Sequence, residues 1–239
     1  MKLDILAIGV HPDDVELSCS GTLLKHIKQG YKVGILDLTQ GQLGTRGTPE
    51  LRLKEAENSA KILGVHMREN LGMEDGFFMN DFAHQKPIIE VIRQYQPETV
   101  LANAINDRHP DHGRAAKLIA DACFYSGLRK IETHKDGKLQ EAWRPKSVYH
   151  YIQDYYIQPD FIVDITPYFE KKKEAILAFS SQFYNPANKN EPETPISSKD
   201  FFDFVEARAR NFGRIINATY GEGFSTTRAL GIEDLLSIR

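Results

Sequence analysis

The sequence predicts an α/β fold: a Rossmann-like, doubly wound and mostly parallel sheet flanked by helices, with a less regular C-terminal part. Three observations predict it. Short apolar runs alternate with segments of helical period over the first 130 residues. Glycine or proline marks many of the junctions. The chain has 239 residues with 41% hydrophobic side chains, enough to fill a core on both faces of such a sheet.

The elements follow in order. Leu3 to Val10 reads as a buried strand. Leu17 to Gln29 carries Leu17, Leu23, Leu24 and Ile27 on one helical face and stops at Gly30. Val33 to Leu38 is a second strand, and residues 39–48, with three glycines, form a loop. Pro49 to Leu63 is a helix with proline in its first turn and Gly64 as its stop. His66 to Leu71 is a third strand, Lys86 to Gln94 a helix, Thr99 to Asn103 a strand, and Gly113 to Ser126 a helix behind the RHPDHG loop. After residue 130 the alternation weakens. Residues 135–138 read as a turn, Ser147 to Ile152 and Phe161 to Ile165 as strands, and Pro167 to Phe179 and Asp200 to Ile216 as helices. The polar stretch 185–199, with three prolines, is expected to be a loop and a candidate cover for the site. No repeat or linker stands out, so one domain over 1–239 is expected.

A net charge of -3 gives no basic excess for nucleic acid or an anionic membrane surface. No run of 18 apolar residues suggests a membrane span, and the N-terminal apolar stretch is too short for a secretion signal. Cys19 and Cys123 are far apart and outside any CxxC pair, so nothing suggests a disulfide framework or a thiolate zinc site. A reducing cytoplasm is the expected setting.

Two clusters carry the chemistry. His11-Pro12-Asp13-Asp14 follows the first strand, and His109-Pro110-Asp111-His112 follows the strand ending near Asn103. In open parallel sheets, ligands bind beyond the carboxyl ends of strands, so both clusters can face one crevice. Imidazole and carboxylate are zinc ligands, and a catalytic zinc takes three such groups plus a water. His11, one of Asp13 and Asp14, and one of His109 and His112 make that set. The other aspartate is then a general base, the other histidine can polarise a carbonyl or protonate an amine, and Asp111 can orient that histidine. Taken singly, each cluster also reads as a plain capping turn. His26, His66, His84, His134 and His150 lack such neighbours and read as ordinary surface or core histidines.

HPDD after the first strand, the TQGQLGTRG loop, Arg52-x-x-Glu55-Ala56 and HPDH before a helix resemble the LmbE-like, or PIG-L, family of zinc deacetylases. Softer stretches, among them Gln158-Pro159-Asp160-Phe161, Ser181-Gln182-Phe183, Glu206-Ala207-Arg208 and Gly221-Glu222-Gly223-Phe224, are similar to the bacillithiol-pathway branch, which deacetylates N-acetylglucosaminyl-malate. The resemblance implies one Zn2+ per chain on His11, Asp14 and His112. It implies Asp13 as general base, His109 as general acid or oxyanion stabiliser, and Asp111 as the partner of His109. It implies a small-molecule N-acetylglucosamine conjugate as substrate, and a homo-oligomer.

Malyl carboxylates suit the planar fork of arginine, and Arg52 and Arg108 are the candidates for them. The plainer reading of Arg52 is an exposed helix residue paired with Glu55. Gln182 and Tyr184 could line the pocket. Phe201, Phe202 and Phe204 read as core packing, or as a subunit contact. Competing classes are a nucleotide-binding module with GQLGTRG as its phosphate loop, a zinc phosphoesterase, and a zinc-binding protein without catalysis. No GxGxxG follows the first strand, which counts against the first of these.

Overall fold

The computed structural model describes residues 1–185 and 191–238. Strand β1 (Ile5–Gly9) is buried along its whole length. The predicted single helix after it is two, α1 (Asp14–Ser18) and α2 (Ser20–Lys28), because Cys19 leaves helical geometry at φ -138°. Next come β2 (Val33–Thr39), α3 (Pro49–Leu63) and β3 (Met67–Met73). Helix α3 has the predicted bounds. Thr48 caps it through the Leu51 amide, and Gly64 ends it with a positive φ.

Helix α4 (Phe82–Tyr95) starts four residues before the expected Lys86, because Asp81 caps it and the helix tolerates Pro87 inside. Strand β4 (Thr99–Ala102) leads to α5 (Pro110–Tyr125). Here the HPDH motif is the start of the helix and not a loop before it: His109 is the N-cap and Pro110 the first helical residue. A two-residue hairpin, β5 (His134–Lys135) with β6 (Lys138–Leu139), encloses the predicted turn. Then come β7 (Ser147–Tyr151), β8 (Phe161–Asp164), α6 (Phe169–Leu177), α7 (Lys199–Ile215) and a strand the sequence reading did not foresee, β9 (Gly221–Ser225).

The seven-stranded sheet runs β3-β2-β1-β4-β7-β9-β8. The first five strands are parallel, and β9 runs antiparallel to both its neighbours. Alternate residues along β1 and β2 feed opposite faces. Leu6, Ile8, Leu36 and Leu38 pack with Ile88, Ile92 and Leu118 of α4 and α5. Ile5, Ala7, Val33 and Ile35 pack with Val15, Leu23 and Leu63 on the other face. The chain winds outward from β1 to β3, then crosses back to β4 on the far side of β1. The crevice at that reversal lies beyond the carboxyl ends of β1 and β4, where both motifs emerge. No helix among the described residues is long and apolar enough to cross a membrane.

Strand β9 was hidden by its glycines, which weaken a strand pattern but permit close backbone approach. A Cβ on Gly213 of α7 would stand 2.7 Å from the Tyr220 amide nitrogen, and one on Gly221 would stand 2.9 Å from the Gly213 nitrogen. Gly213→Ala therefore forces α7 away from β9. Urea unfolding should show a loss of about 1–3 kcal/mol, the usual cost of overpacking.

Candidate metal centre

The centre is built around Asp14, the first residue of α1. Its Oδ2 accepts the His11 amide at 2.9 Å and the Asn103 side-chain amide at 2.9 Å, and its Oδ1 accepts Gln153 Nε2 at 2.8 Å. An imidazole stands on either side. His112 Nε2 is 3.3 Å from Oδ1, and His11 Nδ1 is 3.8 Å from Oδ2. Burial disfavours the Asp14 charge, yet His112 and His11 outweigh it and hold the carboxyl well below the usual range.

Each imidazole is oriented from its other nitrogen. His112 Nδ1 meets Asp107 Oδ2 at 2.6 Å. His11 Nε2 meets Asp75 Oδ1 at 3.0 Å and lies 3.7 Å from Asp111 Oδ2. His11 Nδ1 and His112 Nε2 are then the ring nitrogens turned towards Asp14, and each would offer a lone pair once its proton left. Two imidazoles and a carboxylate are donor types that zinc takes, and tetrahedral zinc keeps its ligand atoms roughly 3.3 Å apart, near the separation of His112 Nε2 from Oδ1; His11 Nδ1 stands farther off, on Oδ2. His109 offers an alternative nitrogen: one ligand atom each from His11, His109 and His112 lie within 4.8 Å of one another.

Two charged layers surround the donors. Asp13 has φ 128°, a conformation suited to glycine, and its carboxylate accepts Arg52 Nη2 at 2.9 Å. The same nitrogen donates to Pro12 O at 2.7 Å. Burial pushes the Asp13 carboxyl up to about 7 against the pull of Arg52. His109 Nδ1 accepts the Asp111 amide at 3.3 Å. Burial, then the charges of His11 and His112, lower the pKa of His109. For His11 and His112 burial acts the same way, but neighbouring carboxylates prevail and raise them to about 9 and about 10.

Of these residues His11, Asp13, Asp14, Arg52, Asp75, His109, His112 and Gln153 line one cleft of about 260 Å³. The structure brings together His11, Asp13, Asp14, His109, Asp111 and His112, as their spacing suggested. The link from Asp111 to His109 is corrected: it runs through the Asp111 amide. The Asp111 carboxylate instead accepts the Gly76 amide and Arg114 Nη1 and faces His11. Arg52 is buried and not paired with Glu55, whose carboxylate binds Ser180 and Ser181. Arg108 is on the rim, paired with Asp154 at 2.8 Å. Gln182 lines the cleft, while Tyr184 is exposed and outside it. Of the expected cover, Thr194 to Ile196 form part of the cleft wall, and residues 186–190 lie outside the described residues. Phe201 packs on Phe183 in the core, and Phe204 is partly exposed.

Sequence reasoning missed Asp75, Asn103, Asp107 and Gln153. Their one signal is position, each lying shortly beyond the carboxyl end of β3, β4 or β7.

The fold and site define a Rossmann-like protein with a histidine–carboxylate cluster at its switch point that could hold a metal ion. The sequence profile of the GlcNAc-PI de-N-acetylase (PIG-L) family matches residues 6–123. Diacetylchitobiose deacetylase of Thermococcus kodakarensis is 32% identical over 75% of this chain and 70% of its own. The crystal structure of the conserved protein TT1542 from Thermus thermophilus superposes with a TM-score of 0.85 at 33% identity, covering 97% of this chain and 98% of that one. The chain belongs to the PIG-L family of de-N-acetylases. The bacillithiol likeness is weaker: a probable N-acetyl-alpha-D-glucosaminyl L-malate deacetylase 2 of Bacillus anthracis is 24% identical over 75% of this chain and 81% of its own.

Two outcomes follow from this geometry. Zinc ligates neutral imidazole, so zinc on His11 and His112, whose pKa values neighbouring carboxylates raise, would release protons at pH 7. Calorimetry in buffers of different ionisation enthalpy should detect that release, with affinity rising as pH rises towards 9. Asp13→Gly should be more stable than Asp13→Ala by about 1–3 kcal/mol, because only glycine relieves the backbone strain. Equal urea midpoints would show that position 13 is unstrained.

Proposed function

We propose that the protein is a zinc-dependent hydrolase that removes the acetyl group from N-acetylglucosamine conjugates, with one zinc per chain on His11, Asp14 and His112. The observation that carries this reading is the pair of imidazoles flanking one buried carboxylate at the floor of a cleft that also holds Asp13 and His109. Asp14 is the better third ligand than His109. It is a charged oxygen donor already locked by three hydrogen bonds, whereas His109 has one ring nitrogen engaged by the Asp111 amide.

When bound, zinc supplies an acidified water and a Lewis acid for the acetyl carbonyl. Asp13 takes the proton of the attacking water, and Arg52 fixes the direction of its carboxylate. His109 accepts the Asp111 amide at Nδ1, which puts its own proton on Nε2. From there it donates to the oxyanion as the water oxygen adds to the acetyl carbon. Asp13 then passes its proton to the departing nitrogen as the C–N bond breaks, leaving acetate and a free amine. Asp111 orients His11 with its carboxylate and His109 with its amide.

N-acetylglucosaminyl-malate is the substrate we favour among such conjugates. Its support is a cleft bearing arginines, Arg52 and Arg108 among them, and the likeness to the malate-type deacetylase. Pairing with Asp13 also gives Arg52 a part in the chemistry itself, so its loss should slow turnover of malyl and plain conjugates alike.

The zinc-loaded protein should release acetate from N-acetylglucosaminyl-malate, lose that activity on chelation and regain it with one equivalent of zinc. Asp13→Ala should keep its zinc and lose about 10²–10⁴-fold in kcat, the usual share of a general base. Near-normal turnover by a fully loaded Asp13→Ala protein would remove Asp13 from the role. One bound zinc with no acetate released from any N-acetyl sugar would overturn the deacetylase reading.

A further inference from the structure

Three arginines line the cleft: Arg52, Arg108 and Arg208. Two of them already have carboxylates. Arg52 holds Asp13 at 2.9 Å, and Arg108 holds Asp154 at 2.8 Å. Arg208, on α7, has none within ion-pair distance among the described residues. Its protein hydrogen bond is to a neutral acceptor, Nη2 to Leu17 O at 2.8 Å, and its guanidinium lies 5.5 Å from the centre of the Phe204 ring. A guanidinium has five N–H donors, so most of this fork is uncommitted.

No carboxylate around Arg208 is committed to it. Lys172 Nζ donates to the same Leu17 carbonyl at 3.0 Å. Glu222 balances Lys172 at 2.6 Å, and its two oxygens also accept the Gly21 and Thr22 amides at 3.0 and 2.7 Å. The carboxylates of Asp154, Asp107 and Glu222 act on Arg208 through space, but each is already paired, with Arg108, His112 and Lys172 in turn. Burial is the main influence on Arg208 and lowers its pKa to about 10, still charged at neutral pH. Leu17, Ile196 and Phe201 give the cleft an apolar lining in addition to its polar floor.

A guanidinium that lines a cleft with most of its donors free and no carboxylate at ion-pair distance favours an anionic ligand, and carboxylate matches its planar fork. We propose that Arg208 is the contact for a carboxylate on the aglycone of the substrate, and so sets the preference of the cleft for acidic over neutral sugar conjugates. The proposal rests on the reading of this cleft as the sugar-conjugate site. Arg208 acts on binding and leaves the acetyl chemistry to the floor of the cleft.

The test compares binding of two deacetylated products, glucosaminyl-malate and methyl glucosaminide, to the zinc-loaded protein by calorimetry. Product binding needs no turnover, so it stands apart from the deacetylase reading. Wild-type protein should prefer the malyl product, and Arg208→Gln should lower that preference roughly 10- to 100-fold, the worth of a charged hydrogen-bonded contact. Arg208→Lys keeps the charge and the reach to Leu17, so it should fold and retain part of the preference. That variant decides the matter if the glutamine protein does not fold. No preference in the wild type, or a preference that both variants keep in full, would overturn the proposal. Selective binding of the malyl product without acetate release from its N-acetyl form would leave Arg208 in place and refute only the deacetylase reading.

Discussion

One buried carboxylate organises the floor of the cleft. Asp14 collects the turn after β1 through the His11 amide, the end of β4 through Asn103, the end of β7 through Gln153, and the first turn of α5 through His112. Burying a charge is costly unless donors surround it, and here they come from four separate stretches of chain. The strand ends are therefore held in register with one another by the same group that we propose as a metal ligand. Neutralising Asp14 would release all four at once.

The helix that carries Asp14 has five residues, too few to be stable by itself. It is anchored from behind. Glu16 accepts Ser59 Oγ at 2.5 Å and Arg68 Nη1 at 2.6 Å, and Arg68 in turn grips Asp37 at the end of β2. Lys172 and Arg208 hold the Leu17 carbonyl. Each ion pair here is a weak source of net stability, because desolvation offsets attraction. Their effect is positional: they fix a short helix at a place where chain propensity would not. The C-terminal half of the chain, which supplies Lys172, Arg208 and Glu222, thus sets the position of an N-terminal motif.

The parallel half of the sheet was legible because its strands are short apolar runs and its helices have clear ends, as at Pro49 and Gly64. The two His-carboxylate motifs were legible because dense ionisable residues at strand ends are hard to bury without a ligand. What escaped had no local pattern. Asp75, Asn103, Asp107 and Gln153 are single polar residues whose importance depends on which loops the sheet brings together. β9 was obscured by glycines that serve packing against α7, and the break at Cys19 leaves the apolar spacing on either side intact. For Arg52 the helical spacing to Glu55 was a false guide, since tertiary contacts pull the two side chains to different partners.

Asp107 joins two parts of the cleft that would otherwise be independent. One of its oxygens orients His112, and the other accepts the amides of Arg108, Asp154 and Tyr155, which belong to the rim. With the metal on His112, as proposed, its occupancy and the rim conformation would share a mechanical connection through a single side chain. By thermodynamic reciprocity, whatever free energy the ion lends to ordering the rim, an occupied rim returns to the ion. A metal-starved protein would thus discriminate less among ligands as well as turn over more slowly, and a well-fitting ligand would slow the escape of the metal.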